Sequence, residues 1–281
     1  MASMREYIDS HVHVWTADTG RYPFIKGMDP ATAVPRDFPP ETLLRWARPS
    51  RVGRILIVGT NKYGTDNRYL FDTIERFPAV FRGAPILDHA APDVAAQIKE
   101  ALHRGAAGFR IVPQKDYAKG WDNPSAFAAM FTAAADTGQA VCLLISPQGL
   151  DDTAAMCARY PDTTVVIDHM ARVGADGPVT DADTEALCRL AKYPNVFVKV
   201  SAFYALGAKS KPHDDLKPLI KSLVDAFGTS RLMWGSDAPH QLVHETYEDS
   251  IALVRDRLDF LSEAQRREVL CGTAERVFFW R

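Results

Sequence analysis

Short, nearly continuous apolar runs recur along the chain between longer stretches whose apolar residues repeat every three to four positions. The runs cover residues 7–14, 54–60, 81–87, 107–112, 140–146, 163–169, 195–201 and 231–237. Segments such as Ile55-Leu56-Ile57-Val58 and Val165-Val166-Ile167 show no polar alternation, the pattern of strands covered on both faces in a parallel sheet. Eight strands are therefore predicted.

The intervening stretches read as helices with chemical start and stop signals. Asn123-Pro124 offers an N-cap and a first-turn proline, Phe127, Met130, Phe131 and Ala134 form a stripe, and Gly138 ends it. Residues 93–104 carry Val94, Ile98, Ala101 and Leu102 and stop at Gly105. Residues 214–227 carry Leu216, Leu219, Ile220, Leu223 and Val224 and stop at Gly228. Ser262 and Gln265 have the spacing of a capping box, and residues 273–280 read as a final packing helix. Eight strand-and-helix alternations without a flexible linker predict one α/β domain over residues 1–281, a (β/α)8 TIM-type barrel. A doubly wound open sheet is the alternative, but no GxGxxG follows an early strand. Residues 18–40, rich in Pro and Gly and including Tyr22-Pro23-Phe24, break the alternation and are expected as a loop over the barrel mouth.

Composition narrows the function classes. With 281 residues, 47% apolar, the chain can bury a large core. A net charge of -2 and no local Lys/Arg cluster argue against a nucleic-acid partner. No apolar segment has the length of a membrane span and the first residues have no signal core, so a cytoplasmic protein without a membrane partner is expected. Cys142, Cys157, Cys188 and Cys271 are scattered through apolar stretches and read as reduced filler.

In a barrel of this kind, chemistry sits at the C-terminal ends of the strands. The first strand carries Asp9-Ser10-His11-Val12-His13-Val14-Trp15, and strand alternation puts His11 and His13 on one face. A solvated polar face is the bland alternative. The fourth strand offers Arg110, the sixth ends Val166-Ile167-Asp168-His169, the seventh carries Lys199 and Ser201, and the eighth ends Trp234-Gly235-Ser236-Asp237. Taken singly, His169 reads as a satisfied strand-end histidine, Asp237 as an N-cap, and Arg110 and Lys199 as rim charges; for Lys199 the rim reading is preferred. Taken jointly, apolar strands that turn to His or Asp at the mouth point to one site. Asn61, Lys62, Arg172, Tyr204 and His240 follow strand ends and are candidates for substrate contact, with solvated loop positions as the competing reading. Trp15 and Phe24 are expected either as pocket walls or as packing.

These motifs, together with Gly108-Phe109-Arg110, Asp168-His169-Met170-Ala171 and Val198-Lys199-Val200-Ser201, resemble the amidohydrolase superfamily. The order of features is similar to its amidohydrolase-related branch, which holds lactonases for pyrone dicarboxylates and sugar lactones as well as decarboxylases. The resemblance runs from Ile8 to about Arg276 and is specific for the branch, not for a substrate. It implies a hydrolase that opens the lactone ring of a small carboxylated or sugar-derived molecule. Asp237 would be the general base on water, His11, His13 and His169 would polarise the carbonyl or ligate a metal, and Arg110 would fork onto a substrate carboxylate.

The departures from the family pattern are informative. Metal-rich members place a bridging lysine or glutamate on the fourth strand and a histidine on the fifth. Here the fourth offers Arg110 and the fifth, Val141 to Ser146, has no histidine, which excludes a binuclear centre. One Zn²⁺ or other divalent ion held by His11, His13, His169 and Asp237 is chemically sensible. The fixed charge of Arg110 opposes a dication, so the expectation is that no metal is required, with the single ion as the alternative. Two rival functions are a zinc-dependent decarboxylase of an aromatic or muconate-type acid and a catalytically silent binding barrel; a homo-oligomer is compatible with each.

Overall fold

In the computed structural model, which describes residues 6–280, each expected apolar run forms a strand. These are β1 (Tyr7–Val12), β2 (Val52–Val58), β3 (Phe81–Ala84), β4 (Gly108–Ile111), β5 (Ala140–Leu143), β6 (Val165–Ile167), β7 (Val196–Ser201) and β8 (Leu232–Gly235). All neighbours run parallel, in two ladders, β1-β2-β3 and β4 through β8. Isolated parallel bridges Gly83↔Ala106, Ile86↔Arg110 and Val12↔Ala238 join the ladders at both edges and close the ring. This is the predicted eight-stranded barrel with its helices outside.

Except for β7, the strands end before their apolar runs do. β6 stops two residues before His169 and β8 two before Asp237, because these polar residues leave the ladder to face the mouth. The Asn123 cap also differs: its Oδ1 accepts from Ser125 Oγ at 2.7 Å, and a 3-10 turn, Pro124–Phe127, precedes the α-helix Ala128–Thr137. The Ser262/Gln265 capping box forms as expected. All four cysteines are free thiols, Cys188 only partly buried.

Strand alternation divides the core. Ile55, Ile57, Val165, Ile167, Val198, Leu232 and Trp234 pack outward under the helices, while Ile8, Leu56, Ala84, Ala140, Cys142, Val166 and Met233 form an inner cluster with Ala274, Val277 and Phe278 of the last helix. In β1 the register slips between Asp9 and Val12, where three steps on β1 match two on β2. That extra residue is a bulge. It lets Ile8 join the inner cluster while His11 and His13 still turn toward the strand ends.

Closure between β1 and β8 depends on buried polar bonds. Asp9 Oδ1 accepts from Ser236 N at 2.9 Å and His11 N at 3.0 Å, and Oδ2 accepts from Ser236 Oγ at 2.5 Å and Tyr247 OH at 2.6 Å. Ser10 Oγ donates to Trp234 O at 2.7 Å, Asp237 N to His11 O at 2.8 Å and His13 N to Ala238 O at 2.7 Å. Gly235 is required by this approach, since a Cβ there would lie 2.8 Å from His11 Cβ and 3.0 Å from its nitrogen.

Residues 18–40 pack against the loop after β2 and the helix Arg68–Arg76. Tyr22 packs edge-on to Tyr69 and donates to Asp72 at 2.5 Å, Phe24 meets Tyr63, and Ile25 N bonds Lys62 O. Trp15 is fully buried and hydrogen-bonds Pro35 O, and no helix among the described residues is long and apolar enough to cross a membrane.

Two outcomes test the seam. Gly235→Ala forces His11 and β8 apart and lowers stability by about 1–3 kcal/mol, read by denaturant unfolding. Burial outweighs the hydrogen bonds from Ser236 and Tyr247 and raises the Asp9 carboxyl from 3.8 to about 6. The folded state therefore keeps a proton that the unfolded chain releases near 3.8, and stability is lost as pH rises from about 4 to 6. Asp9→Asn cannot ionise, so the gap in unfolding free energy between the two proteins shifts in favour of the variant across that window, by up to about 3 kcal/mol; parallel pH profiles would refute the assignment.

Candidate active site

The polar strand ends converge on a cavity of about 760 Å³ at the mouth, lined by His13, Asn61, Lys62, Arg110, His169, Arg172, Tyr204, Asp237 and His240 among others. At its floor Asp237 Oδ1 faces three imidazoles: His13 Nε2 at 3.4 Å, His11 Nε2 at 3.6 Å and His169 Nε2 at 3.9 Å. Oδ2 accepts from Tyr204 OH at 2.7 Å, which fixes the carboxylate's orientation. The five residues singled out at the strand ends, His11, His13, Arg110, His169 and Asp237, are thus gathered together.

Backbone geometry brings them there. His169, Met170, Ala171 and Arg172 have φ of 53°, 50°, 53° and 57°, a run of four left-handed residues, and Asp237 sits at 64°. Such conformations cost L-residues roughly 1–2 kcal/mol each. They are held by burial on all sides of His169, Met170 and Ala171.

Beneath the imidazoles lies a buried charge cluster that the chain's pattern did not disclose. Lys199, expected at the rim, is 0% exposed. Its Nζ lies 3.0 Å from Asp168 Oδ1 and 3.2 Å from His11 Nδ1, while Arg110 Nε lies 3.5 Å from Asp168 Oδ2. The rim reading fails because β7 turns Lys199 inward, where the Asp168 carboxylate compensates it. Asp168 was not singled out from the sequence; its signal is an acid directly after Val165-Val166-Ile167. Burial pushes its carboxyl up, but Lys199, His11 and Arg110 outweigh this and hold it well below the usual range.

The rings' other nitrogens fix their tautomers. His13 Nδ1 lies 2.8 Å from Val58 O, and a carbonyl only accepts, so Nδ1 carries a proton and, in the neutral ring, Nε2 holds the lone pair. His169 Nδ1 lies 2.9 Å from Ser201 Oγ, whose hydroxyl points toward Lys199 O at 3.5 Å; this gives His169 the same tautomer. His11 Nδ1 has Asp168 Oδ1 at 3.4 Å as acceptor and Lys199 as donor, so either tautomer is served. Burial lowers the His169 imidazole to about 4, and burial together with Lys199 holds His11 well below its usual range. In the neutral rings of His13 and His169 the Nε2 lone pairs therefore face the Asp237 carboxylate. His11 Nε2 and Asp237 Oδ1 have no hydrogen-bond partner.

That arrangement repels itself unless positive charge enters, and its donor set suits a single divalent cation. Ligand atoms of His11, His169 and Asp237 lie within 4.8 Å of one another, and the 3.4–3.9 Å spacings to Asp237 approach the roughly 3.4 Å between neighbouring donors of tetrahedral zinc. Arg110 does not stand bare against such an ion, because Asp168 balances it.

The remaining predicted contacts take defined places. Lys62 Nζ sits 4.1 Å from the centre of the Trp15 ring, the Arg172 guanidinium 4.0 Å from that of Tyr117, and Tyr204 stacks on His244. His240 lies between the His13 and Trp15 rings, and burial lowers it to about 4. Trp15 therefore backs the cavity behind Lys62 and His240, and Phe24 packs on Tyr63 away from it.

Comparison with known proteins agrees with this geometry. The chain is 31% identical over 240 residues to an L-fucono-1,5-lactonase of Burkholderia ambifaria, covering 83% of this chain and 80% of the relative. It is 28% identical over 278 residues to a 4-sulfomuconolactone hydrolase of Hydrogenophaga intermedia, covering 96% and 88%. A probable 2-pyrone-4,6-dicarboxylic acid hydrolase from Acinetobacter baumannii shares the fold at a TM-score of 0.83 and 20% identity, over 98% of this chain and 99% of that one. The amidohydrolase family pattern matches residues 8–280, and the chain belongs to that family.

Proposed function

We propose that this protein hydrolyses the ring ester of a small lactone, with Asp237 as the general base. The observation that carries this is Asp237 Oδ1, a buried carboxylate oxygen without a hydrogen-bond partner at the floor of a small-molecule-sized cavity. The names of the two relatives above, both lactone hydrolases, support the same reaction.

Tyr204 holds the carboxylate through Oδ2 and leaves Oδ1 to take a proton from water. The water adds to the ring carbonyl, and collapse expels the ring oxygen, which receives that proton from Asp237. The products are a hydroxyl and a carboxylic acid, which ionises to the carboxylate by releasing its proton to solvent. Developing negative charge on the carbonyl oxygen needs a positive neighbour. Arg110, which lines the cavity, supplies that charge from this chain's own side chains, and His11, His13, His169 and Asp237 would hold a divalent cation beside it. When bound, that ion supplies Lewis acidity beside the carbonyl. Asp168 accepts from His11 Nδ1–H in that state, orienting the ring.

No observation favours the decarboxylase, since β5 brings Leu144 to the cavity wall where a further ligand would be needed. Asp237→Asn lowers kcat for a lactone substrate by about 10²–10⁴-fold with the melting temperature retained. Chelation followed by metal analysis finds about one divalent ion lost per chain, with activity falling and returning on Zn²⁺ addition; an unchanged rate in metal-stripped protein rejects the cation. A wild-type protein that opens no lactone across a panel of pyrone, muconolactone and sugar lactones rejects the function itself.

A further inference from the structure

A buried acid and imidazole pair lies apart from the Asp168 cluster, behind the cavity wall. His213 Nε2 and Glu245 Oε2 are 2.5 Å apart, with side chains 2% and 1% exposed. Whichever atom carries the proton between them, one short hydrogen bond joins the two. Neither residue lines the cavity, so neither reaches a substrate. His213 Nδ1 and Glu245 Oε1 find no hydrogen-bond partner among the described residues. An apolar pair of the same volume would fill this space without that desolvation cost, whereas a hydrogen bond adds a set length and direction.

The pair joins two loops that meet over Asp237. Residues 202–216 connect β7 to the helix Lys217–Phe227, and residues 236–246 connect β8 to the helix Tyr247–Ala252. Tyr204, in the first loop, donates to Asp237 Oδ2 at 2.7 Å and stacks on His244 of the second, with ring centres 5.0 Å apart. The adjacent residues repeat that link: the Phe203 ring meets the His213 ring at 6.0 Å, and His213 bonds Glu245, the residue after His244. Tyr204 is thus held twice, once through its own ring and once through the residue before it. The second loop is tied to the barrel, since His244 N and Glu245 N both donate to Gln241 O at 2.9 Å, and Thr246 caps the helix whose Tyr247 bonds Asp9 of the seam. The first loop makes a longer excursion that ends at His213 in a left-handed conformation, φ 62°. Lys211 Nζ also reaches Asp249 at 3.1 Å, but that pair is solvent-exposed and weakened by screening.

We propose that His213 and Glu245 are positioning residues: by holding the loop after β7 against the loop after β8, the pair sets the Tyr204 hydroxyl on Asp237 Oδ2 and keeps Oδ1 aimed at the attacking water. This rests on the reading of Asp237 as the general base and extends it to residues that do not touch substrate. With the pair cut, Tyr204 loses its second anchor, its bond to Asp237 loosens and the carboxylate turns off its water.

A double-mutant cycle on kcat tests this. His213→Phe keeps a ring against Phe203 but removes the hydrogen bond, and lowers kcat for a lactone about 10–100-fold with KM changed less than about 3-fold. Tyr204→Phe lowers kcat by a similar factor, and adding His213→Phe to it costs less than about 2-fold more, because both act through one hydroxyl. Glu245→Gln retains a hydrogen-bonding partner for the imidazole and keeps kcat within about 3-fold of wild type. A second readout needs no turnover. In protein labelled with 3-fluorotyrosine, the fluorine resonance that disappears in Tyr204→Phe shifts in His213→Phe and stays in place in Glu245→Gln. Losses in kcat that multiply independently in the two backgrounds, or a Tyr204 resonance unmoved by His213→Phe, overturn the inference and leave lactone hydrolysis standing. A wild type that opens no lactone while the resonance still shifts rejects the hydrolase and keeps the positioning role. Should His213→Phe fail to fold, Glu245→Asp, which keeps the acid and shortens its reach by one methylene, goes through the same cycle and the same spectra with the same expectations.

Discussion

The seam between the first and last strands is the constraint on which the site depends. His11 and His13 lie more than two hundred residues from Asp237, and only ring closure puts them within 4 Å of its carboxylate. The Asp9 carboxylate makes that closure specific, because it accepts four hydrogen bonds that span β1, the end of β8 and Tyr247. Gly235 sets the spacing by omitting a side chain. The seam fixes both strand ends, so the catalytic floor is rigid before any substrate arrives.

Behind the floor, charges are compensated in a way that separates structural from chemical roles. Asp168 balances Lys199 and Arg110 in a fully buried cluster, an arrangement stable only while every member is present. Asp237 is treated differently. One of its oxygens is bonded by Tyr204 and the other is left facing three imidazole nitrogens without a hydrogen bond. A fold selected only for stability would satisfy that oxygen; leaving it open is what the proposed general base requires. The left-handed residues at His169–Arg172 and Asp237 carry strain at the same place.

Floor and walls of the cavity come from different parts of the chain. The floor comes from strand ends and their buried partners, held by the ring itself. The walls come from loops after β2, β6 and β7, where Lys62, Arg172 and Tyr204 sit on aromatic neighbours. Loop walls on a fixed floor are the general way one barrel fold carries different substrates, and the relatives are named for different lactones.

Local pattern determined a good deal of this. Continuous apolar runs define eight strands because a strand covered on both faces tolerates no polar alternation, and period-two geometry alone places His11 and His13 together. The polar endings Asp168-His169 and Ser236-Asp237 mark the mouth. What only the tertiary structure decided is which groups meet across the ring. Lys199 looks like a rim charge until β7 turns it onto Asp168, and the bulge in β1, the left-handed turn after β6 and the tautomers set by Val58 and Ser201 have no local signature. Residues 18–40 likewise settle where Tyr22 and Phe24 meet Tyr69 and Tyr63, a choice set by surfaces that exist only once the barrel has formed. Periodicity is a property of neighbouring residues, whereas pairing of buried charge depends on partners brought together by closure, and a linear sequence does not record that distance.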